Sequence, residues 1–232
     1  MCGRFTLAKP LQEIEELVGE IKNDVPLAPR YNIAPAQPIL TVLNREPRFL
    51  TFTQWGLVPR WAKDPTMATR MINARAETIA EKPAFRSSFK HNRCLILADG
   101  FFEWRKVAGQ KDKTPMYIRL DSGEPFAFAG IYADWQGPDG SEITTSAIIT
   151  TSPNELVSKI HNRMPVILSR KHFEAWMDPA LEKPDRRGPI LRPFPASKME
   201  AYEVSRKVNK VTYDAPDCIA PIQETPIQGE LF

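Results

Sequence analysis

Cys2 follows Met1 in the opening stretch Met-Cys-Gly-Arg-Phe. Because residue 2 is small, we expect Met1 to be removed, which leaves a cysteine with a free α-amine beside its thiol. In model compounds the amine titrates at about 7.7–8.0 and the thiol at about 8.5, so both have a reactive fraction at neutral pH. Such a 1,2-aminothiol condenses with an aldehyde, first to an imine and then to a five-membered thiazolidine. The alternative interpretation is a frayed terminus without a chemical role.

Asn73 and Arg75 stand two residues apart in Ile-Asn-Ala-Arg-Ala-Glu-Thr at 72–78. On an extended segment two such side chains point to the same face. An amide and a guanidinium on one face suit a phosphate or sugar oxygen. A solvated loop, or a local ion pair with Glu77, explains the pattern equally well.

Glu103 lies between Phe102 and Trp104 at the end of an apolar stretch. Aromatic neighbours that desolvate a carboxylate raise its pKa towards neutrality, as a general acid or base requires. An outward-facing glutamate on a strand is the alternative.

His161 falls between a predicted helix and an apolar strand, where its ring can face a pocket. At a helix C-terminus the charged form of histidine is favoured. The alternative is a structural or exposed ring.

A dispersed set of cations and aromatic residues is interleaved between positions 4 and 86. This combination is what single-stranded nucleic acid requires, because the backbone needs cations and splayed bases need stacking faces. Trp55 is expected to pack in the core and Trp61 to be exposed. The set comprises Arg4, Arg30, Trp55, Arg60, Trp61, Lys63, Arg70, Arg75 and Arg86.

Composition narrows the class of protein. With 232 residues, 42% of them hydrophobic and 25% charged, the chain is long enough for one sizeable core. Its net charge of +3 is compatible with a nucleic-acid partner but does not argue for one. Three widely spaced cysteines predict a reducing compartment, and three unpaired histidines make a zinc site unexpected. No apolar run approaches the roughly 20 residues that span a bilayer.

The expected fold is α+β, with a mainly antiparallel, curled or barrel-like sheet and a few short helices. A single domain is expected over residues 1–222, followed by a tail at 223–232. Helices are predicted at 10–19, 83–90, 152–160 and 170–177, and a proline-rich loop at 23–37. The helix at 152–160 is predicted from a capping box that begins at Ser152, with a proline at the first helical position. Strands are predicted at 39–43, 49–55, 93–98, 101–106, 116–120, 126–132, 142–151 and 164–168, with a structured segment at 202–211 and mostly tail from residue 215.

Seven motifs in sequence order resemble the SOS-response-associated peptidase family, also called abasic-site-processing proteins. They extend from Cys2 to about Asn209, which is nearly the whole chain. They read MCGRF at 1–5, RYNIAP at 30–35, WGLVPRW at 55–61, INARAET at 72–78, RCLILADGFFEW at 93–104, IHNRMP at 160–165 and VSRKVN at 204–209.

The resemblance implies a domain that binds abasic sites in single-stranded DNA and crosslinks to them through the mature N-terminal Cys2. Asn73 then helps to sense the abasic site, Glu103 stabilises it and His161 lies beside it. The implied DNA-contact residues are Arg4, Asn32, Pro35, Trp61, Arg75, Arg86 and Thr150. Ala62 replaces a second aromatic residue that some members carry, which bears on base stacking and not on the covalent chemistry.

The implied product is a thiazolidine between Cys2 and the ring-opened deoxyribose, which shields the lesion from strand cleavage during the DNA damage response. Residual lyase activity and self-removal of Met1, as the word peptidase suggests, are further expectations. We expect no cofactor or metal, a monomer, and a cytoplasmic protein that is nucleoid-associated when on DNA.

Two other classes of function share these features. A cysteine N-terminal-nucleophile amidohydrolase also needs a free Cys2, together with an oxyanion hole. In a non-covalent binder of single-stranded DNA, Cys2 has only a structural role.

Overall fold

The computed structural model describes residues 2–19, 21, 26–109, 111–180 and 188–222 of the chain. Its strands are β1 Phe5–Leu7, β2 Arg30–Ile33, β3 Pro38–Leu43, β4 Leu50–Trp55, β5 Asn73–Arg75, β6 Arg93–Ala98, β7 Gly100–Arg105, β8 Thr114–Leu120, β9 Phe126–Gln136, β10 Glu142–Thr151, β11 Met164–Pro165, β12 Ile167–Leu168 and β13 Met199–Glu203. The α-helices are α1 Leu11–Val18, α2 Arg86–His91 and α3 Phe173–Met177. The 3₁₀ helices are Pro65–Arg70, Val157–Lys159, Arg170–His172, Ala196–Lys198, Arg206–Asn209 and Pro216–Cys218.

Five strands close into a barrel. They pair in the order β10, β4, β3, β6 and β9, and β9 pairs again with β10. β5 and β11 extend this sheet from β10, and β12 extends it from β9. Pairing is antiparallel except where β10 runs parallel to β4 and β5. The prediction of an α+β fold with a mainly antiparallel, barrel-like sheet is therefore confirmed.

A second sheet packs against the barrel. Its strand order is β13, β8, β7, β1 and β2, so β1 lies between β7 and β2. Phe5 on β1 contacts Trp55 and Phe128 of the barrel, with ring centroids 5.1 and 5.8 Å apart. The opposite face of this sheet is covered by the segment 204–218, which buries Val204, Val208 and other apolar side chains.

Gly130 allows the barrel interior to close. A Cβ at this position on β9 would lie 2.7 Å from Sγ of Cys94 on the paired strand β6. Interiors packed at this density leave no room for an added methyl group. The close approach of side chains inside the barrel thus explains why the long strand β9 carries a glycine in its apolar part.

Several predicted elements match closely. Helix α1 begins after Pro10 and ends at Gly19, whose φ of 86° suits a residue without a Cβ. Strands β6 and β10 have the predicted bounds, and the other long strands differ by a few residues. Strand β2 was missed inside the predicted loop 23–37, because its pairing with β1 is a tertiary contact.

The predicted helix 152–160 is wrong. Only Val157–Lys159 is helical, as a 3₁₀ turn, and Thr151 still pairs with Met164. Asn154 caps this turn instead of Ser152, since its Oδ1 accepts the N–H of Val157 at 2.9 Å and its amide donates to Phe194. The predicted tail from residue 215 also contains the 3₁₀ helix Pro216–Cys218 with a buried Cys218. The predicted tail 223–232 lies outside the described residues.

In the described part of the chain, no helix is both long and apolar enough to cross a membrane.

Candidate active site

Cys2 lies three residues before the start of β1 and is fully buried. Its Sγ is 3.8 Å from the carbonyl oxygen of Arg4, within reach of a weak thiol hydrogen bond. Burial raises the pKa of the Cys2 thiol, and the nearby charge of Glu103 raises it further. The thiol is therefore neutral in the physiological pH range. A frayed second residue is excluded.

Asn73 connects the barrel to Cys2. It begins β5, beside Ile148 of β10, and its Nδ2 donates to the carbonyl oxygen of Cys2 at 2.7 Å. Its Oδ1 is buried and has no hydrogen-bond partner among the described residues. The extended conformation predicted for Asn73 and Arg75 is confirmed, with Asn73 half-buried and Arg75 exposed.

Glu103 lies on β7 and is 3% exposed. An outward-facing glutamate is therefore excluded. Burial raises the pKa of Glu103 to about 7. A carboxyl group with such a pKa exchanges a proton readily at neutral pH, which is the property that a general acid or base needs.

His161 follows the 3₁₀ helix Val157–Lys159, and its side chain is 23% exposed. Its Nδ1 lies 3.9 Å from Oε1 of Glu103. Burial lowers the pKa of His161, so the neutral ring predominates at pH 7. The charged form expected at a helix C-terminus was wrong, because one 3₁₀ turn gives little dipole to offset desolvation.

Two charged groups near the site were missed from the sequence. Arg163 binds the carboxylate of Glu77 with both terminal nitrogens, at 2.6 and 2.9 Å, so Glu77 pairs with Arg163 and not with Arg75. The positive charge of Lys113 contributes to lowering the pKa of Glu103 and of His161. The IHNRMP motif contains Arg163 and could have pointed to it, whereas no sequence pattern around Lys113 indicates that it lies near the site.

Arg4 and Asn32 lie together on the face of the second sheet that the segment 204–218 covers. Nη1 of Arg4 donates to Oδ1 of Asn32 at 2.6 Å and to the carbonyl oxygen of Val208 at 2.7 Å. The amide of Asn32 donates to Val208, Lys210 and Tyr213 carbonyl oxygens. Both residues hold the segment 204–218 on the sheet, and their predicted contacts with DNA stay predictions.

The other predicted contact residues differ in exposure. Thr150 is buried beside Ala74, and Pro35 is half-buried. Trp61 is 63% exposed and lines a cavity of about 410 Å³ together with Arg60 and Arg86, whereas Trp55 is buried as expected. Ala62 is buried against Trp135, and its carbonyl oxygen accepts the indole N–H of Trp135 at 2.7 Å. Trp61 is therefore the aromatic side chain that this loop exposes, and its predicted contact with bases stays a prediction.

Across the described ranges, no three His, Cys, Asp or Glu side chains come together as a metal site would require.

The chain matches a described family and several known proteins. The family model described as SOS response associated peptidase (SRAP) matches residues 1–211. The chain is 45% identical over 222 residues to abasic site processing protein YoqW of Bacillus subtilis, covering 94% of this chain and 99% of that protein. It is 31% identical over 229 residues to abasic site processing protein YedK of Escherichia coli, covering 96% and 100%.

A solved structure of a protein from Bacteroides thetaiotaomicron superposes with a TM-score of 0.85 at 29% identity, covering 96% of this chain and 100% of that chain. The family match, the similar proteins and the shared fold lead to one assignment: this chain belongs to the SOS response associated peptidase family.

Proposed function

We propose that this protein recognises abasic sites in single-stranded DNA and, after removal of Met1, forms a covalent thiazolidine with the ring-opened deoxyribose through Cys2. The observation that carries the proposal is the environment of Cys2. A residue next to the N-terminus is buried, its carbonyl is held by Asn73, and Glu103 lies close enough to raise the thiol pKa. The similar proteins named for abasic site processing support the substrate class.

Glu103 is the proton donor and acceptor of the proposed reaction. An abasic deoxyribose is mostly a closed hemiacetal. Protonated Glu103 gives its proton to the ring oxygen as the bond between C1′ and that oxygen breaks, and the C1′ hydroxyl loses its proton to become the aldehyde. A pKa of about 7 supplies both protonation states of Glu103 at neutral pH.

Cys2 then contributes its two nucleophiles in turn. The α-amine attacks C1′, and loss of water, assisted by His161, gives the imine. The thiol adds to C1′, and its proton moves to the imine nitrogen. The sum is aldehyde plus aminothiol giving thiazolidine plus water. Because the sulfur enters as a thiol whose proton the nitrogen needs, the raised pKa of Cys2 fits this order of attack.

Ring closure explains the proposed protection of the strand. An open imine promotes β-elimination at the sugar and strand cleavage, as in lyases. Sulfur attack converts the imine into a ring and removes that route. Slow reversal through Glu103 and His161, and weak lyase activity, follow from the same intermediate.

The exposed cations and Trp61 are proposed to hold the strand. Arg75 follows Asn73 on β5 and is exposed, so its guanidinium can reach a phosphate while Asn73 contacts Cys2. Trp61 and Arg86 line one cavity, where an indole face and a cation suit a base and its phosphate.

The deciding experiment is a denaturing mass spectrum of the purified protein after incubation with an abasic single-stranded oligonucleotide. We expect a stable adduct on the N-terminal peptide, lost in Cys2→Ala and when Met1 is retained, and kept in the matched variant Cys94→Ala. An oligonucleotide whose abasic aldehyde has been reduced to the alcohol should give no adduct. Absence of an adduct from a chain with a confirmed Cys2 terminus would refute the proposal.

Removal of Met1 by the protein itself is the peptidase part of the proposal. The chain is synthesised in a cell-free system without methionine aminopeptidase, and its N-terminus is read by mass spectrometry. We expect spontaneous loss of Met1 in the wild type and retention in Cys2→Ala. Retention in both chains would assign the step to a cellular aminopeptidase.

A further inference from the structure

The backbone after His161 turns back on the imidazole ring. The N–H of Arg163 lies 3.1 Å from Nδ1 of His161, within hydrogen-bond distance. Oε1 of Glu103 is 3.9 Å from the same nitrogen, which is too far for a hydrogen bond. Glu103 therefore does not hold a proton on Nδ1.

An amide N–H can only donate, so Nδ1 of His161 must accept from Arg163. The carbonyl oxygen of Arg163 is also 3.3 Å from Nδ1, but a proton on Nδ1 would face the amide hydrogen. In a neutral imidazole the accepting nitrogen is the one without a proton. The proton then resides on Nε2.

The side chain of Arg163 fixes the position of this N–H. Its two terminal nitrogens bind both oxygens of Glu77, and Nη2 also donates to the carbonyl oxygen of Thr150 at 2.6 Å. A planar guanidinium pairs with a carboxylate through two parallel hydrogen bonds, so Arg163 and Glu77 restrain each other; we call this pair the clamp. It ties the residues after β5 and the end of β10 to the backbone that faces His161. The hydrogen bond from Arg163 lowers the pKa of Glu77, so the clamp stays charged at neutral pH.

We propose that Arg163 and Glu77 are positioning residues that hold His161 in its Nε2–H tautomer, so that His161 donates a hydrogen bond to the departing C1′ oxygen and does not act as a base. This rests on the proposed function. Burial keeps the ring neutral at pH 7. The charged groups around the ring include Glu103 from β7, and Arg163 and Glu77 of the clamp. The positive charges of the N-terminal amine and, less strongly, of Lys113 also disfavour the imidazolium. Glu103, and not His161, is then the group that accepts protons during the reaction.

The tautomer can be measured without any reaction. In uniformly ¹⁵N-labelled mature protein, long-range ¹H–¹⁵N spectra distinguish a bare ring nitrogen from a protonated one. The chain has three histidines, and His161→Gln identifies the signals of His161. At pH 7.5 we expect Nδ1 to be bare and Nε2 protonated. A protonated Nδ1, or a charged ring, overturns the proposal.

The clamp is tested with Arg163→Lys and Glu77→Gln. Each should shift His161 towards a mixture of tautomers. Each should also reduce the maximal crosslinking rate at saturating DNA between about tenfold and about a hundredfold, as for a misplaced catalytic group. The DNA concentration giving half the maximal rate should change less than twofold. Arg48→Lys is the matched control, because Arg48 also binds both oxygens of a glutamate, Glu174, between the β3–β4 turn and α3. This variant should change neither the tautomer of His161 nor the crosslinking rate.

The outcomes separate this inference from the proposed function. The positioning role is refuted if the tautomer is unchanged in both clamp variants. It is also refuted if the variants need a higher DNA concentration for half the maximal rate while the maximal rate itself is unchanged. If the wild type forms no adduct, the proposed function fails while the tautomer measurement still decides the geometry of His161.

Discussion

Replacing Glu103 by glutamine should stabilise the protein at alkaline pH while slowing its proposed chemistry. Glu103 is buried on β7, and burial raises its pKa from 4.5 to about 7. Between these two values the folded protein holds a proton that the unfolded chain has lost. The free energy of unfolding therefore falls as the pH rises through this window, and it levels off above pH 7.

The magnitude follows from the size of the pKa change. At about 1.4 kcal/mol per pH unit, a rise from 4.5 to about 7 is equivalent to about 3 kcal/mol. Glutamine keeps the shape of the side chain but does not ionise. The difference in unfolding free energy, variant minus wild type, should increase by about 3 kcal/mol between pH 4 and pH 8.

Urea unfolding of both proteins at intervals over this pH range measures the difference. In parallel, crosslinking by Glu103→Gln should be slowed while DNA affinity is retained. A pH-independent difference for Glu103→Gln would mean that its pKa is not raised, and equal losses of crosslinking and affinity would mean a structural role.

Three further predictions concern other parts of the molecule. Arg93→Met should lower the free energy of unfolding by about 3–5 kcal/mol in urea titrations. The reason is that the buried guanidinium donates to four backbone carbonyls near α2 and α3. A loss below about 1 kcal/mol would contradict this prediction. Trp61→Ala should weaken binding of single-stranded DNA by about 1–3 kcal/mol in fluorescence titrations, with stability unchanged, because the exposed indole is proposed to stack on a base. Unchanged affinity would remove Trp61 from the contact. Arg75→Ala should flatten the salt dependence of binding by about 0.7 in log–log slope, and an unchanged slope places Arg75 away from phosphates.

The sequence predicted the elements that are defined by local pattern. Strand β6 is apolar from Cys94 to Ala98 and was predicted with the observed bounds, because burial on both faces leaves a continuous hydrophobic signal. Helix α1 combines a proline start, an apolar stripe and a glycine end, all of which are local. Barrel closure by β9 and β10, by contrast, depends on the pairing of residues such as Ile131 and Ala147, and no local pattern encodes it.

The candidate site was predicted only in part. Cys2, Asn73, Glu103 and His161 were named by chemistry and family resemblance, whereas the contact between Asn73 and Cys2 joins residues 71 positions apart. The Ser152 capping box failed because Asn154 is held by the distant Phe194 and caps the turn instead. Tertiary contacts of this kind compete with local signals of about 1 kcal/mol, and they prevail where several act together.

Removal of water from the site favours the protonation states of Cys2, Glu103 and His161 that the proposed reaction needs. Burial raises the pKa of the Cys2 thiol, raises that of Glu103 to about 7, and lowers that of His161. All three shifts favour the neutral form, as desolvation must. A neutral thiol is a poor first nucleophile, so the α-amine attacks first. The same neutral thiol carries the proton that the imine nitrogen needs, and ring closure requires no outside acid. Desolvation thus sets the order of the two bonds to C1′.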